Sequence, residues 1–311
     1  MHAHDHHHDG PALSLTIHSP SGILLQGAAL TRALRHLRHL GFDAHLDESA
    51  RARQQRFAGD DETRLAALHR VARDGRDIAL ASRGGYGLTR LLDAIDYRLI
   101  ARSIDAGKRW VGHSDQTAFQ LAVLAHTGRG TWAGPLAHDD FSRTPEQGGV
   151  DDVTEACFTE AMHGELEAVG FRTETGFDGL EVRGPLWGGN LCMLLSLLGT
   201  PHWPAVKGGI LFLEDVNEHP YRIERGLLQL HQAGVLDAQK AVVLGAFTDF
   251  RPSPLDRGYT LKSAIARVRA ATRRPVLTGL PFGHVPTKVC LPVGRRGTLA
   301  VQGRDALIGW A

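Results

Sequence analysis

Long apolar segments and an excess of one charge are both absent from this chain of 311 residues. Its apolar runs, such as IALAS, GGILFLED and AVVLGAFTDF, are far shorter than the roughly 20 residues that a membrane-spanning helix needs. The 35 Lys and Arg residues balance the 34 Asp and Glu residues to a formal charge of +1. We therefore expect neither a membrane nor a nucleic acid as a partner.

Cysteine is also scarce, and no secretory signal is visible. The three cysteines, Cys157, Cys192 and Cys290, form no C-x-x-C pair, which is typical of a protein from a reducing compartment. The first residues, MHAHDHHHDGP, are polar and contain no apolar signal core. We expect a disordered, histidine-rich tail over residues 1–11, able at most to chelate a transition metal weakly. A cytoplasmic enzyme is the default expectation.

The remaining sequence alternates strand-like and helix-like segments. Short apolar runs such as DIALAS are followed by stretches with apolar residues at helical spacing, which predicts βαβ units and a mostly parallel sheet. The pattern weakens over about residues 141–177 and then resumes with LEVRGPLWGGNL, GGILFLEDV and AVVLGAFTDF. We expect an N-terminal α/β domain (12–140), an interdomain passage (141–177) and a smaller C-terminal domain (178–311).

The segment RWVGHSDQTAF places Ser114 between an apolar strand and a helix that begins near Asp115. At the carboxyl end of a parallel strand, the free N–H groups of the following helix could stabilise an oxyanion formed by attack of Ser114. Serine is also a favoured helix cap, and the G-x-S-D motif lacks the second glycine of the usual hydrolase turn. Local sequence alone leaves both interpretations open.

Two further residues could complete a catalytic triad with this serine. Glu214 directly follows the apolar strand ILFL, and His284 lies in the Gly- and Pro-rich loop GLPFGHVPTK. They could serve as orienting acid and general base. The simpler alternatives are a salt bridge from Glu214 to Arg222 or Arg225, and a loop histidine bonded to backbone.

Two glycine-containing segments are candidate substrate-binding elements. SRGGYGLTR lacks the spacing of a dinucleotide or P-loop motif, but its amides could donate to an oxyanion, and Arg83 could hold a substrate carboxylate. Tyr86 of the same loop is a further substrate-binding candidate. In GPLWGGNL, Asn190 could cap the next helix or present its amide to a ligand.

Taken together, RGGYG, GHSD, GGNL, ILFLEDVNEHPYRIER and LPFGH resemble the LD-carboxypeptidase family of serine peptidases, over about residues 13–308. The resemblance implies a flavodoxin-like N-terminal domain and a C-terminal swivelling β/α domain. It implies a catalytic triad of Ser114, Glu214 and His284, with oxyanion donors from the backbone amides of Asp115 and Gly85. It further implies a homodimer that uses no metal or other cofactor.

The implied reaction is hydrolysis of an L,D-amide bond that releases terminal D-alanine from a murein tetrapeptide in the cytoplasm, during peptidoglycan recycling. A related branch of similar motifs cleaves a peptidyl-nucleotide antibiotic, and this is the first alternative. The second is a non-catalytic nucleotide-binding protein that uses RGGYG as a phosphate cradle, although that loop lacks a lysine. A metal-dependent peptidase is a minor alternative because no H-E-x-x-H motif occurs. His113, between Gly and Ser, departs from the hydrophobic or aromatic residue usual in the family.

Overall fold

The computed structural model describes residues 12–25 and 27–310, so the expected histidine-rich tail lies outside the described residues. Their first part alternates strands and helices as the sequence predicts. Its elements, in chain order, are β1 (Ser14–His18), α1 (Gly27–His39), β2 (Asp43–Leu46), α2 (Asp61–Arg73), β3 (Ile78–Ala81), α3 (Tyr97–Asp105), β4 (Arg109–Gly112), α4 (Gln116–Thr127) and β5 (Thr131–Ala133).

The second part begins with a helix and ends with a group of strands. Its elements are α5 (Asp152–His163), β6 (Ala168–Arg172), β7 (Glu181–Asn190), α6 (Leu191–Leu197), β8 (Ile210–Val216), α7 (Pro220–Gln232), β9 (Ala241–Thr248), α8 (Leu261–Ala271), β10 (Val276–Thr278), β11 (Leu291–Val293), β12 (Arg296–Gln302) and β13 (Asp305–Trp310). None of the helices in the described part of the chain is both long and apolar enough to cross a bilayer.

The first sheet has the strand order β2-β1-β3-β4-β5, all parallel, with β11 added antiparallel to β5. This order is that of flavodoxin-like folds, in which ligands bind at the carboxyl ends of the strands. Central strand β3 is buried at every residue, as expected where helices cover both faces of a parallel sheet. The expected flavodoxin-like architecture is confirmed.

The second sheet is mixed, in the order β10-β9-β8-β7-β12-β13-β6. Strands β7 to β10 are parallel, whereas β12, β13 and β6 are joined to them by antiparallel pairing. Strand β8 has the sequence ILFLEDV and is buried at all but its last residue. Its carboxyl end therefore delivers an acidic pair, Glu214 and Asp215, into the protein interior.

Two strands do not follow the expected division of the chain into two domains. β6 falls within the expected interdomain passage but pairs with β13 of the second sheet, and β11 returns from the C-terminal region to the first sheet. The helix-like segment LTRLLDAI forms only two short 3₁₀ turns, and the regular helix α3 follows it, beginning at Tyr97. The chain thus passes between the two sheets more than once, whereas the expected domain boundaries imply a single passage.

The two sheets meet where helix α4 contacts the end of strand β7. Gly189 has φ +130°, and a Cβ placed there would lie 2.5 Å from Thr117 Oγ1. The same hydroxyl accepts a hydrogen bond from the Asn190 backbone N–H at 2.9 Å. Because only glycine permits this approach, the residue pair Gly189-Asn190 brings the carboxyl ends of β7 and β8 against the helix that follows Ser114.

The loop between β10 and β11, which carries His284, is attached to residues that precede the second sheet. Lys288 Nζ donates to Asp140 Oδ1 in an ion pair whose two side chains are each 3% exposed. Thr287 Oγ1 donates to Asp151 Oδ2 at 2.6 Å, and the Lys288 N–H donates to Thr154 Oγ1 at 2.8 Å. The His284 loop is therefore held against the start of α5 by buried polar contacts.

We predict that Asp140→Ala destabilises the protein by about 3–5 kcal/mol, because it leaves the buried Lys288 ammonium without its partner. Urea unfolding followed by circular dichroism measures this loss. The matched control is Asp105→Ala, which removes an exposed ion pair to Arg129 and should change stability little. Equal stability losses in the two variants would contradict this view of the loop.

Candidate active site

Ser114 lies on the turn between β4 and α4 and has a left-handed backbone conformation, φ +65°. Such a conformation is uncommon for residues other than glycine and stores backbone strain. Its Oγ lies 3.0 Å from His284 Nε2. The side chain does not cap α4, because Asp115 occupies the cap position and makes no side-chain cap bond. The geometry thus favours the interpretation of Ser114 as a nucleophile over that of a helix cap.

His284 joins this serine to a buried carboxylate. Its Nδ1–H donates to Glu214 Oε2 at 2.8 Å, which leaves Nε2 as the acceptor facing the Ser114 hydroxyl. Glu214 is fully buried. Burial of His284 disfavours its charged form, but the hydrogen bond and negative charge of Glu214 outweigh this and raise the pKa of His284 above its ordinary value. The imidazolium that forms on proton transfer is therefore stabilised.

Asn190 and Asp215 hold the buried carboxylate from behind. The Asn190 side-chain amide donates to Glu214 Oε1 at 3.1 Å and to Asp215 Oδ1 at 2.8 Å, while its Oδ1 accepts from the Met193 N–H at the start of α6. Both amide hydrogens are therefore engaged within the protein. This arrangement fits the helix-cap interpretation of Asn190 and directs its amide at Glu214 rather than at a ligand.

Glu214 forms no salt bridge with Arg222 or Arg225. Arg222 instead pairs with Glu218 one turn earlier on the surface. No arginine or lysine of residues 12–25 and 27–310 lies within ion-pair distance of Glu214, whose charged partner is His284. Glu214 is thus available to orient the imidazole.

The RGGYG loop lies directly against the serine. A Cβ built on Gly84 would be 2.6 Å from Ser114 Oγ and 3.5 Å from the Asp115 amide nitrogen. Among the residues described, neither the Asp115 N–H nor the N–H of Gly85 donates to another protein group. The Asp115 amide directly follows Ser114, and the Gly85 amide follows the glycine that contacts the serine side chain, so both are candidate donors to an oxyanion.

Asp115 fixes the position of that loop. Its Oδ2 accepts a hydrogen bond from the Leu88 N–H at 2.9 Å, which ties the end of RGGYGL to the turn at Ser114. Burial raises the pKa of Asp115 to about 6, despite the opposing hydrogen bond from Leu88 and the charge of Arg64. Asp115 therefore carries a side-chain role in addition to its backbone amide.

His113 lies beside the catalytic imidazole but carries no charge there. Its ring centroid is 5.0 Å from that of His284, and its Nδ1–H donates to the Gly134 carbonyl at 2.9 Å. Burial, together with the nearby positive charges of Lys288 and His284, lowers its pKa well below the ordinary value. His113 is thus a buried, uncharged side chain beside His284. In this respect it resembles the hydrophobic residues usual at this position.

The two remaining predicted substrate residues lie on the outer side of the loop. Arg83 Nη1 donates to the Ile23 carbonyl at 2.6 Å, and its side chain lines a cavity with Arg32, His138 and Asp139. Tyr86 is 41% exposed and packs on Phe57, with ring centroids 5.8 Å apart. Both side chains are accessible from the solvent side of the site.

Sequence reasoning missed several residues that support this site. Gly84, rather than Gly85, makes the close contact with the serine side chain. Asp215 was overlooked although it directly follows Glu214, and Lys288 and Asp140 carry no motif that marks them as a buried pair. The one sequence feature that could have indicated a role for Asp215 is the pair of adjacent acids in LEDV, at the end of an apolar strand.

A serine hydroxyl, an imidazole and a buried carboxylate joined by consecutive hydrogen bonds have the geometry of a serine hydrolase site. Comparison with known proteins specifies the family. The model of the LD-carboxypeptidase N-terminal domain matches residues 15–134, and that of the C-terminal domain matches residues 183–299. The chain belongs to the LD-carboxypeptidase family.

Individual relatives agree with this assignment. The murein tetrapeptide carboxypeptidase of Pseudomonas aeruginosa is 33% identical, covering 87% of this chain and 88% of the relative. The crystal structure of muramoyltetrapeptide carboxypeptidase from Oxalobacter formigenes is 38% identical and superposes with a TM-score of 0.86, covering 96% of this chain and 98% of that one. The microcin C7 self-immunity protein MccF is 21% identical with a TM-score of 0.84, covering 97% of each chain, and shares the fold.

We predict that Asp115→Asn changes how stability depends on pH. Because the pKa of Asp115 is raised on folding, the folded wild type binds the proton more tightly than the unfolded chain, so its stability falls as pH rises from about 4 through about 6. Asparagine cannot ionise and keeps an oxygen to accept from Leu88. The thermal midpoint of the variant relative to wild type should thus be higher at pH 8 than at pH 4. A pH-independent difference would contradict this assignment.

Proposed function

We propose that this protein is a serine LD-carboxypeptidase that releases the terminal D-alanine from murein tetrapeptides. The observation that carries the proposal is the hydrogen-bonded series Ser114 Oγ–His284 Nε2–Glu214, with separations of 3.0 and 2.8 Å. The three residues come from β4–α4, the β10–β11 loop and β8. The named activities of the relatives supply the substrate class.

In the proposed reaction, Ser114 attacks the carbonyl carbon of the L,D-amide while His284 Nε2 takes its proton. The tetrahedral intermediate collapses when the imidazolium gives that proton to the departing D-alanine nitrogen, which leaves the shortened peptide as an ester on Ser114. Water then attacks the ester with His284 again as base, and the free serine is regenerated. Glu214 holds the Nδ1–H tautomer and stabilises the imidazolium in both steps.

The oxyanion of both intermediates would accept hydrogen bonds from the backbone amides of Asp115 and Gly85. The Asp115 amide follows Ser114 in the chain, the Gly85 amide follows Gly84, and neither has a protein acceptor of its own among the described residues. We propose that Arg83 binds a substrate carboxylate and that Tyr86 contacts the peptide at the open side of the site. Asn190 we assign instead to positioning Glu214, since its amide hydrogens are already used there.

We also propose that the enzyme acts in the cytoplasm as a homodimer and takes its substrate from peptidoglycan recycling. Its three cysteines are all free, which suits a reducing compartment. The dimer is what the family resemblance implies. Peptidyl-nucleotide cleavage remains the alternative, and no side chain of this site favours it over the murein peptide.

The direct test is mass spectrometry of a murein tetrapeptide before and after incubation with the protein. We expect loss of one D-alanine with wild type and no loss with Ser114→Ala, because the alanine has no hydroxyl to acylate. Ser196→Ala, which removes an exposed hydroxyl bonded to Met193, is the control and should remain active. Full activity of Ser114→Ala, or preferential cleavage of a peptidyl-nucleotide, would refute the proposed function.

We further predict that Glu214→Gln lowers kcat about 10²- to 10⁴-fold, because glutamine cannot hold the imidazole tautomer in the same way. Activity requires neutral His284, so the rate falls as pH drops through the pKa of this residue. Removing the Glu214 charge lowers that pKa, and the acid limb of the kcat/KM profile should move to lower pH. Glu218→Gln is the control. An acid limb left in place would show that Glu214 does not tune His284.

A further inference from the structure

A cationic cavity opens beside the RGGYG loop on the first-sheet side of the site. It encloses about 290 Å³, and the residues that matter for its chemistry are Arg32, Arg83, Arg143, His138 and Asp139. Three guanidinium groups therefore face a space that contains one carboxylate. That carboxylate, on Asp139, is already paired with His138 Nδ1 at 2.7 Å.

The three arginines are oriented by backbone carbonyls and not by acids. Arg32 Nε donates to the Ser142 carbonyl at 2.9 Å, and Arg143 Nε donates to that of Gly149 at 2.7 Å. Arg83 is held by the Ile23 carbonyl through Nη1. Within residues 12–25 and 27–310, none of the three has a carboxylate within 4 Å. Their positions are thus fixed without a direct ion pair, although the charge of Arg83 contributes to lowering the pKa of Asp139.

The cavity lies at the edge of the first sheet that also carries Ser114. Arg83 is followed directly by Gly84, the residue in closest contact with the Ser114 side chain. The wall formed by His138 and Asp139 is joined to the end of β3, because the His138 N–H donates to the Ser82 carbonyl at 2.7 Å. The negative charge of Asp139 also acts on His284. The cavity thus shares Arg83 and Asp139 with the surroundings of Ser114 and His284.

We infer that Arg32 and Arg143, together with Arg83, form the subsite that binds the terminal carboxylate of the residue to be released. This inference rests on the proposed function. A terminal carboxylate is separated from the scissile amide nitrogen by a single Cα, so it must bind close to the serine. Guanidinium groups suit it because they present paired N–H donors to the two carboxylate oxygens. Arg32 and Arg143 thereby determine that the enzyme removes a terminal residue.

The kinetic test compares a tetrapeptide that ends in a free carboxylate with the same peptide ending in an amide. For Arg32→Gln and Arg143→Gln, we expect kcat/KM on the acid to fall about tenfold or more, mainly through KM, because each lost charge-assisted bond weakens binding. Cleavage of the amide should fall much less, because its terminal group carries no charge. Arg267→Gln, an exposed arginine on α8, is the control. An equal fall for both peptides, or no fall, would overturn the inference.

A binding test separates this inference from the proposed activity. In a ligand-detected NMR titration, wild type should bind N-acetyl-D-alanine at least about tenfold more tightly than N-acetyl-D-alaninamide, and both arginine variants should lose that preference. If this holds while the tetrapeptide is not cleaved, the carboxylate subsite stands and the murein substrate is wrong. Equal binding of acid and amide to wild type, or a preference retained in both variants, would refute the subsite.

Discussion

The hydrogen bond between Ser114 Oγ and His284 Nε2 joins two residues that are 170 positions apart in the chain. It can form only if the turn after β4 and the loop before β11 meet across the two sheets. Most of the unusual features of the fold bring this turn and this loop together. They include the glycine contact between β7 and α4, the return of β11 to the first sheet and the left-handed backbone at the serine.

Buried polar contacts hold the His284 loop and Glu214 in fixed positions. The Lys288–Asp140 ion pair and the Thr287–Asp151 hydrogen bond fix the histidine loop from one side, while Asn190 and Asp215 fix Glu214 from the other. Such contacts contribute little net stability but penalise any other arrangement, because a displaced partner would be left buried and unpaired. We therefore expect the proposed triad to be assembled in the free protein, before substrate binds.

The sequence predicted the parts of this protein that depend on local pattern. The parallel sheet followed from alternating apolar strands and amphipathic helices, and Glu214 and His284 were marked by a strand end and a rigid loop. Long-range features could not be predicted in this way. The pairing of β6 and β11, the pairing of Lys288 with Asp140 and the engagement of Asn190 by two acids all depend on which distant segments pack together.

The most direct measurement of the central claim is proton NMR of the free protein, observing the imidazole N–H groups. Strong hydrogen bonding to a buried carboxylate should give the His284 Nδ1 proton a resonance downfield of the backbone amides. The account predicts that this signal is present without substrate and disappears in both His284→Gln and Glu214→Gln. Absence of the signal in wild type, or its persistence in either variant, would contradict the claim that Glu214 holds His284 in place before substrate binds.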